Sequence, residues 1–111
     1  MDHQRFLTDF ELMIMLAILR VRDRAYGVPI AREIEATAGR PVTLAAVYLA
    51  LDRLQANKLV TSELGDPTPQ RGGRAKRFFR VTAAGLRAIR HTQRAFIALW
   101  QGIPELRGGL V

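Results

Sequence analysis

The stretch spanning residues 65–81 constrains this chain more than any other: Gly-Asp-Pro-Thr-Pro-Gln-Arg-Gly-Gly-Arg-Ala-Lys-Arg-Phe-Phe-Arg-Val. Pro67, Pro69 and the Gly72-Gly73 pair oppose a helix and favour turns. Residues 76–81 then alternate as a strand does, with Phe79 and Val81 on one face, and residues 60–64 alternate in the same way upstream. The two runs predict a long hairpin. Arg71, Arg74, Lys76, Arg77 and Arg80 place five positive charges between positions 71 and 80, with no acid among them. A cationic tip on a stiff strand suits a polyphosphate backbone. A solvated basic loop has the same composition, so the preceding segments must decide between the two.

Three helices are expected before the hairpin. Thr8 and Glu11 have capping-box spacing ahead of an apolar run, and Leu7 and Leu12 are spaced for a hydrophobic staple. Residues 10–21 are apolar nearly all round, which predicts a helix covered on two sides, one by its own domain and the other by a partner subunit. Gly27 and Pro29 suit the start of a second helix. In that helix Ile30, Ile34 and Ala38 repeat every four residues, and Gly39 is placed to end it in a left-handed conformation. Thr43 caps a third helix to about Asn57, with Leu44, Val47, Leu51 and Leu54 toward the core. Ala45, Ala46, Leu49, Asp52 and Arg53 then point outward, with Tyr48 at the border.

Small residues on the outer face of a helix let it approach a groove closely, as a recognition helix does in the roughly 12 Å major groove. An ordinary antiparallel helix pair has the same local pattern, but the hairpin that follows favours the DNA-binding form. The predicted fold is mainly α with a small β-hairpin, a winged helix-turn-helix with a C-terminal dimerisation helix. Residues 1–81 form the DNA-binding unit and residues 82–111 the dimerisation helix and tail, in one compact body. That last helix starts at Thr82 and ends at Gly102 and Pro104. Leu86, Ile89, Gln93, Phe96, Trp100 and Ile103 are spaced alternately by three and four, the seam of a short coiled coil.

The 111 residues suffice for one small core, and the formal charge of +7 points to a polyanionic partner. Cysteine is absent, which excludes disulfides and thiolate metal sites. The longest apolar run, residues 12–19, is far short of the roughly 20 residues that a membrane span needs. No secretory signal is evident, and a cytoplasmic location is expected. Ser62 is the single serine, His3 and His91 are not clustered with carboxylates, and Gly72-Gly73 does not lead into a helix as a phosphate-binding loop would. Neither an enzyme nor a cofactor is expected.

The chain resembles the PadR-like bacterial transcriptional regulators over most of its length. The resemblance is carried by Ala25-Tyr26-Gly27 with Ile30-Ala31-Arg32-Glu33-Ile34, by Ala46-Val47-Tyr48 with Leu51-Asp52-Arg53-Leu54, and by residues 65–79 followed by Val81-Thr82 and Gly85. It implies a homodimeric winged-helix protein that represses a neighbouring operon through a pseudo-palindromic operator and is commonly relieved by a small ligand or another signal. The chain departs from the family at Lys58, where glycine is usual, so Asn57 is expected to take the left-handed conformation at the helix end. It departs again at Pro29, where a non-proline is usual. The short C-terminus resembles the short subfamily.

The residues expected to meet DNA are Thr43, Ala45, Ala46, Tyr48, Leu49 and Arg53 on the third helix and Arg71, Arg74, Lys76 and Arg77 on the wing. Leu86, Ile89, Phe96, Trp100 and Ile103 are expected to join two copies. Phe96 and Trp100 are also the candidates to stack a flat aromatic effector. The competing reading is a winged-helix interaction module that uses its basic wing on an acidic protein.

Overall fold

The computed structural model describes residues 5–65 and 75–107. Helix α1 (Asp9–Val21) runs into a 3-10 turn, and α2 (Gly27–Glu33) continues as a π turn (Ile34–Ala38). Next come α3 (Leu44–Ala56), β1 (Val60–Leu64), β2 (Arg77–Val81) and the long α4 (Ala83–Trp100), closed by a 3-10 turn (Pro104–Leu106). The two strands pair antiparallel with Val60 opposite Val81 and Ser62 opposite Phe79. Gly65 N–H donates to Lys76 O at 2.7 Å and carries the ladder one step beyond the strands. On its other side β2 is held by Phe79 N–H donating to Ala25 O at 2.8 Å.

The start of α1 has the capping box that its sequence encodes. Glu11 N–H donates to Thr8 Oγ1 at 3.1 Å, and Thr8 N–H donates to Glu11 Oε1 at 2.9 Å. The buried Glu11 carboxylate also pairs with Arg5 at 2.7 Å. Ile14, Met15, Ile18, Ile30, Val47, Leu51, Leu54, Val60 and Phe79 form the centre of one core shared by all the helices and the hairpin. Arg40, in the turn between α2 and α3, reaches back to α1, with its guanidinium 5.0 Å from the Phe10 ring centroid and 3.3 Å from Asp9 Oδ2.

Three local expectations are corrected. Ile30 and Ile34 are buried as the four-residue repeat predicts, but Ala38 is exposed. The π turn adds backbone per turn and rotates Ala38 off the buried face. Leu44, expected in the core, is 41 % exposed, whereas Ala50 is buried. Leu44 is the first residue of α3, one turn before the first buried position of that helix, Val47. At the far end of α3 the left-handed residue is Lys58, with φ 62°, rather than Asn57. Lys58 N–H donates to Gln55 O at 3.0 Å and Leu59 N–H to Leu54 O at 2.9 Å, a Schellman closure in which buried Leu59 lies against buried Leu54. Gly39 does take the left-handed conformation assigned to it, with φ 71°.

The radius of gyration is 16.0 Å, against roughly 13 Å for a compact domain of this length. Helix α4 packs through Gly85, Ala88, Ile89 and Thr92, and its residues beyond Thr92 are mostly exposed. No described helix is long and apolar enough to cross a membrane.

Candidate nucleic-acid interface

Helix α3 presents its outer face because its inner face is fully used. Val47, Ala50, Leu51 and Leu54 are buried, while Ala45, Leu49, Asp52 and Arg53 are exposed and Ala46 is half-buried. Thr43 caps the helix by accepting from Ala46 N–H at 3.1 Å, which leaves its hydroxyl proton to donate outward. Leu49 is 59 % exposed and Tyr48 41 %. A single exposed leucine is ordinary in itself, but removing it from water against an apolar surface would gain free energy.

Tyr48 does not stand free of its neighbours. A side chain at Gly27 would bring a Cβ to within 2.6 Å of Tyr48 Cζ, so the ring lies directly over the first residue of α2. The absence of a side chain at position 27 is therefore what seats Tyr48, a role the sequence reading missed by treating Gly27 only as a helix start.

The base of the hairpin faces the same side. Lys76 Nζ donates to Tyr26 Oη at 3.0 Å and lies 4.1 Å from the centroid of the Tyr26 ring. Phe78 supports Tyr26 edge-on, with centroids 5.5 Å apart. Lys76 is thus half-buried and engaged with Tyr26 rather than extended into solvent. Arg77 donates to Ser62 Oγ at 3.0 Å, and Ser62 in turn donates to Gln55 Oε1 at 2.9 Å. This relay fastens the guanidinium to the C-terminal end of α3. Neither Ser62 nor Gln55 was anticipated. The signal was present, because Ser62 and Arg77 are diagonal neighbours on one face of the predicted hairpin. Arg71 and Arg74 lie outside the described residues.

The residues expected to join two copies divide. Phe96 is 56 % exposed, Trp100 40 % and Ile103 39 %, and Leu99 and Ile97 add to this apolar end of α4. Leu86 is half-buried, and Ile89 belongs to the domain's own core, where it cannot serve as a seam residue between subunits. On α1, Leu16 and Leu19 are also exposed, and they line a groove of about 560 Å³ with Met13, Ile34 and Thr37. At its edge the Glu33 carboxylate accepts from Thr37 Oγ1 and from Arg20 Nε. The Thr37 hydroxyl first, then Arg20, hold the Glu33 carboxyl below the ordinary glutamate range.

Residues 15–91 match the family model described as the transcriptional regulator PadR-like family. Among solved structures, a PadR family transcriptional regulator from Eggerthella lenta DSM 2243 is 26 % identical with a TM-score of 0.67, covering 86 % of this chain and 81 % of that one. A PadR family regulator from Clostridium difficile R20291 is 19 % identical with a TM-score of 0.69, covering 89 % and 99 %. A PadR-like regulator from Bacillus cereus ATCC 14579 is 18 % identical with the same TM-score, covering 89 % and 91 %. A search of the curated proteins finds no match.

Proposed function

Because the chain belongs to the PadR-like family of transcriptional regulators, which are not enzymes, we propose that it is a homodimeric, sequence-specific DNA-binding repressor of a neighbouring operon. The observation that carries the DNA-binding part is the shared exposure of the α3 outer face and the hairpin base, linked by Arg77, Ser62 and Gln55. In this reading α3 enters the major groove. Thr43, Ala45, Ala46, Tyr48, Leu49 and Arg53 set the fit, and apolar contact with thymine methyls carries much of the choice of site. Arg77 and Lys76, with Arg71 and Arg74 on the wing, hold phosphates and fix register rather than read bases.

Residues 82–111 pair the two copies through the exposed end of α4, so that two α3 helices address half-sites about one helical turn apart, roughly 34–36 Å. Selection of bound fragments from genomic DNA tests the whole reading: a pseudo-palindromic motif is expected. No protected DNA at low salt would favour the protein-interaction module instead. Arg77→Ala is expected to weaken binding to all sequences alike and to lower the slope of affinity against salt by about one. An unchanged slope would remove the hairpin base from the interface. Repression is tested by a reporter joined to the selected operator, whose output should rise when the regulator is deleted.

The exposed rings of Phe96 and Trp100 support relief by a flat aromatic effector held between the two copies. Trp100 is the single tryptophan, so its fluorescence reports on that place alone. Quenching by aromatic compounds should run parallel to loss of operator binding, and quenching without that loss would reduce the contact to incidental stacking.

A further inference from the structure

The end of α3 and the first turn of α4 meet at one hydroxyl. Thr82 Oγ1 accepts from Gly85 N–H at 3.0 Å as the cap of α4, and it donates toward Lys58 O at 2.8 Å and Leu59 O at 3.0 Å. A hydroxyl has one proton, so the two carbonyls share it. Thr82 N–H also donates to Leu59 O at 3.0 Å. Those two carbonyls belong to the turn that closes α3, where Lys58 takes its left-handed conformation.

Nothing separates α4 from that turn. A Cβ at Gly85 would strike Leu59 O and would lie 2.8 Å from both Met15 Cε and Val81 Cγ1. The backbone of α4 therefore rests on the backbone of the α3 closure, and directional hydrogen bonds at its first turn act with the packing of Ala88, Ile89 and Thr92 to set its angle. From Thr82 to Phe96 α4 extends about 21 Å, so a tilt of about 10° at the joint moves its far end by about 4 Å. That compares with about 3.4 Å per base pair of DNA.

We propose that Thr82 is a positioning residue that fixes the angle between α3 and α4, and through it the spacing of the two half-sites that a dimer accepts. This rests on the homodimeric DNA-binding reading given above. The joint converts the geometry of the α4 pairing into the separation of the two α3 helices, and it does so without touching DNA.

The test uses the full chain with Thr82→Ser, Thr82→Asp and Thr82→Val. Serine keeps both roles. Aspartate keeps the acceptor that caps α4 but has no proton to donate and sets a charge against two carbonyl oxygens. Valine loses both roles. Each chain is titrated on the selected operator with its central spacer at the wild-type length and one base pair longer or shorter. Thr82→Ser is expected to keep the wild-type spacing preference. Thr82→Asp and Thr82→Val are expected to lose that preference by about tenfold, the order of a mismatched base pair, with half-site sequence preference and dimerisation unchanged. An unaltered spacing preference in Thr82→Asp overturns the proposal. A wild-type chain that selects no paired half-sites overturns the dimeric reading itself.

A measurement without DNA covers a variant that binds too weakly to titrate. The chain has no cysteine, so Ala56→Cys carries a single spin label at the exposed end of α3. The label-to-label distance across the dimer should shift or broaden by several ångströms in Thr82→Asp and stay at the wild-type value in Thr82→Ser. Identical distances in both would overturn the proposal.

Discussion

The two halves of α4 are built from opposite kinds of residue. Its first half buries Gly85, Ala88, Ile89 and Thr92, mostly small, and Thr92 Oγ1 accepts from Leu7 N–H at 3.0 Å so that the N-terminal segment is tied down as well. Its second half presents Phe96, Leu99 and Trp100, all large and all exposed. Small residues let one helix lie close on its own domain, whereas large apolar residues contribute only when another surface removes them from water. One continuous helix is thus half a core element and half an unpaired surface.

Ile89→Ala tests the packed half and should have the largest effect. It removes buried methyl groups and is expected to cost about 3 kcal/mol of folding stability, read by urea denaturation at fixed protein concentration. Trp100→Ala tests the projecting half. It should leave the unfolding of the single chain within about 0.5 kcal/mol, as a surface change does. It should nevertheless weaken dimerisation by about 2 kcal/mol, roughly thirtyfold in Kd, in sedimentation at graded concentration. If Trp100→Ala destabilises the single chain as much as Ile89→Ala does, the two halves are not distinct and the comparison fails.

The same contrast explains what the sequence made legible. Element order, the Thr8, Thr43 and Thr82 caps, the hairpin and its face carrying Phe79 and Val81 all follow from local rules, because each depends on residues close in sequence. Ile89 was misplaced because a spacing of three and four marks any apolar helix stripe, whether it meets its own domain or another chain. The signal that would have separated them is Gly85, Ala88 and Thr92, a stripe of small residues on the side that packs. Lys58 and Ala38 were missed for a different reason. Both depend on how a helix ends or widens under tertiary packing, and no propensity of the residues themselves announces it. The relay from Arg77 through Ser62 to Gln55 required the register of two strands and the end of a helix at once.

Lys58→Gly sharpens the account of the packed half, since Lys58 closes α3 beneath the first turn of α4. A left-handed conformation costs a non-glycine residue about 1–2 kcal/mol, which glycine does not incur, although its greater freedom when unfolded offsets part of the gain. The net expectation is a stabilisation of about 0.5–1 kcal/mol, visible as a higher urea midpoint with an unchanged slope. A loss of stability would show that the lysine side chain itself supports the closure.

The smallest effect concerns the apolar groove on α1, another surface left outside the core. Glu33 stands at its edge, accepting from Thr37 and Arg20 beside exposed Leu16 and Leu19, and its carboxyl is held below the ordinary glutamate range chiefly by the Thr37 hydroxyl. A carboxyl with a depressed folded-state pKa binds its proton more weakly folded than unfolded. Its contribution is therefore fully present above the ordinary glutamate value and is lost as the pH falls through the lower folded-state value. Glu33 is partly exposed and Arg20 largely so, so solvent screens the pair and the contribution is small. Glu33→Gln should leave the melting temperature nearly unchanged at neutral pH and should make the acid limb of its pH profile slightly shallower. If a second copy covers the groove, the pair loses its water, and the same substitution should then change the pH dependence of dimerisation more than that of folding. Equal, negligible changes in both profiles would leave the groove uncovered in the dimer and confine the pairing surface to the projecting half of α4.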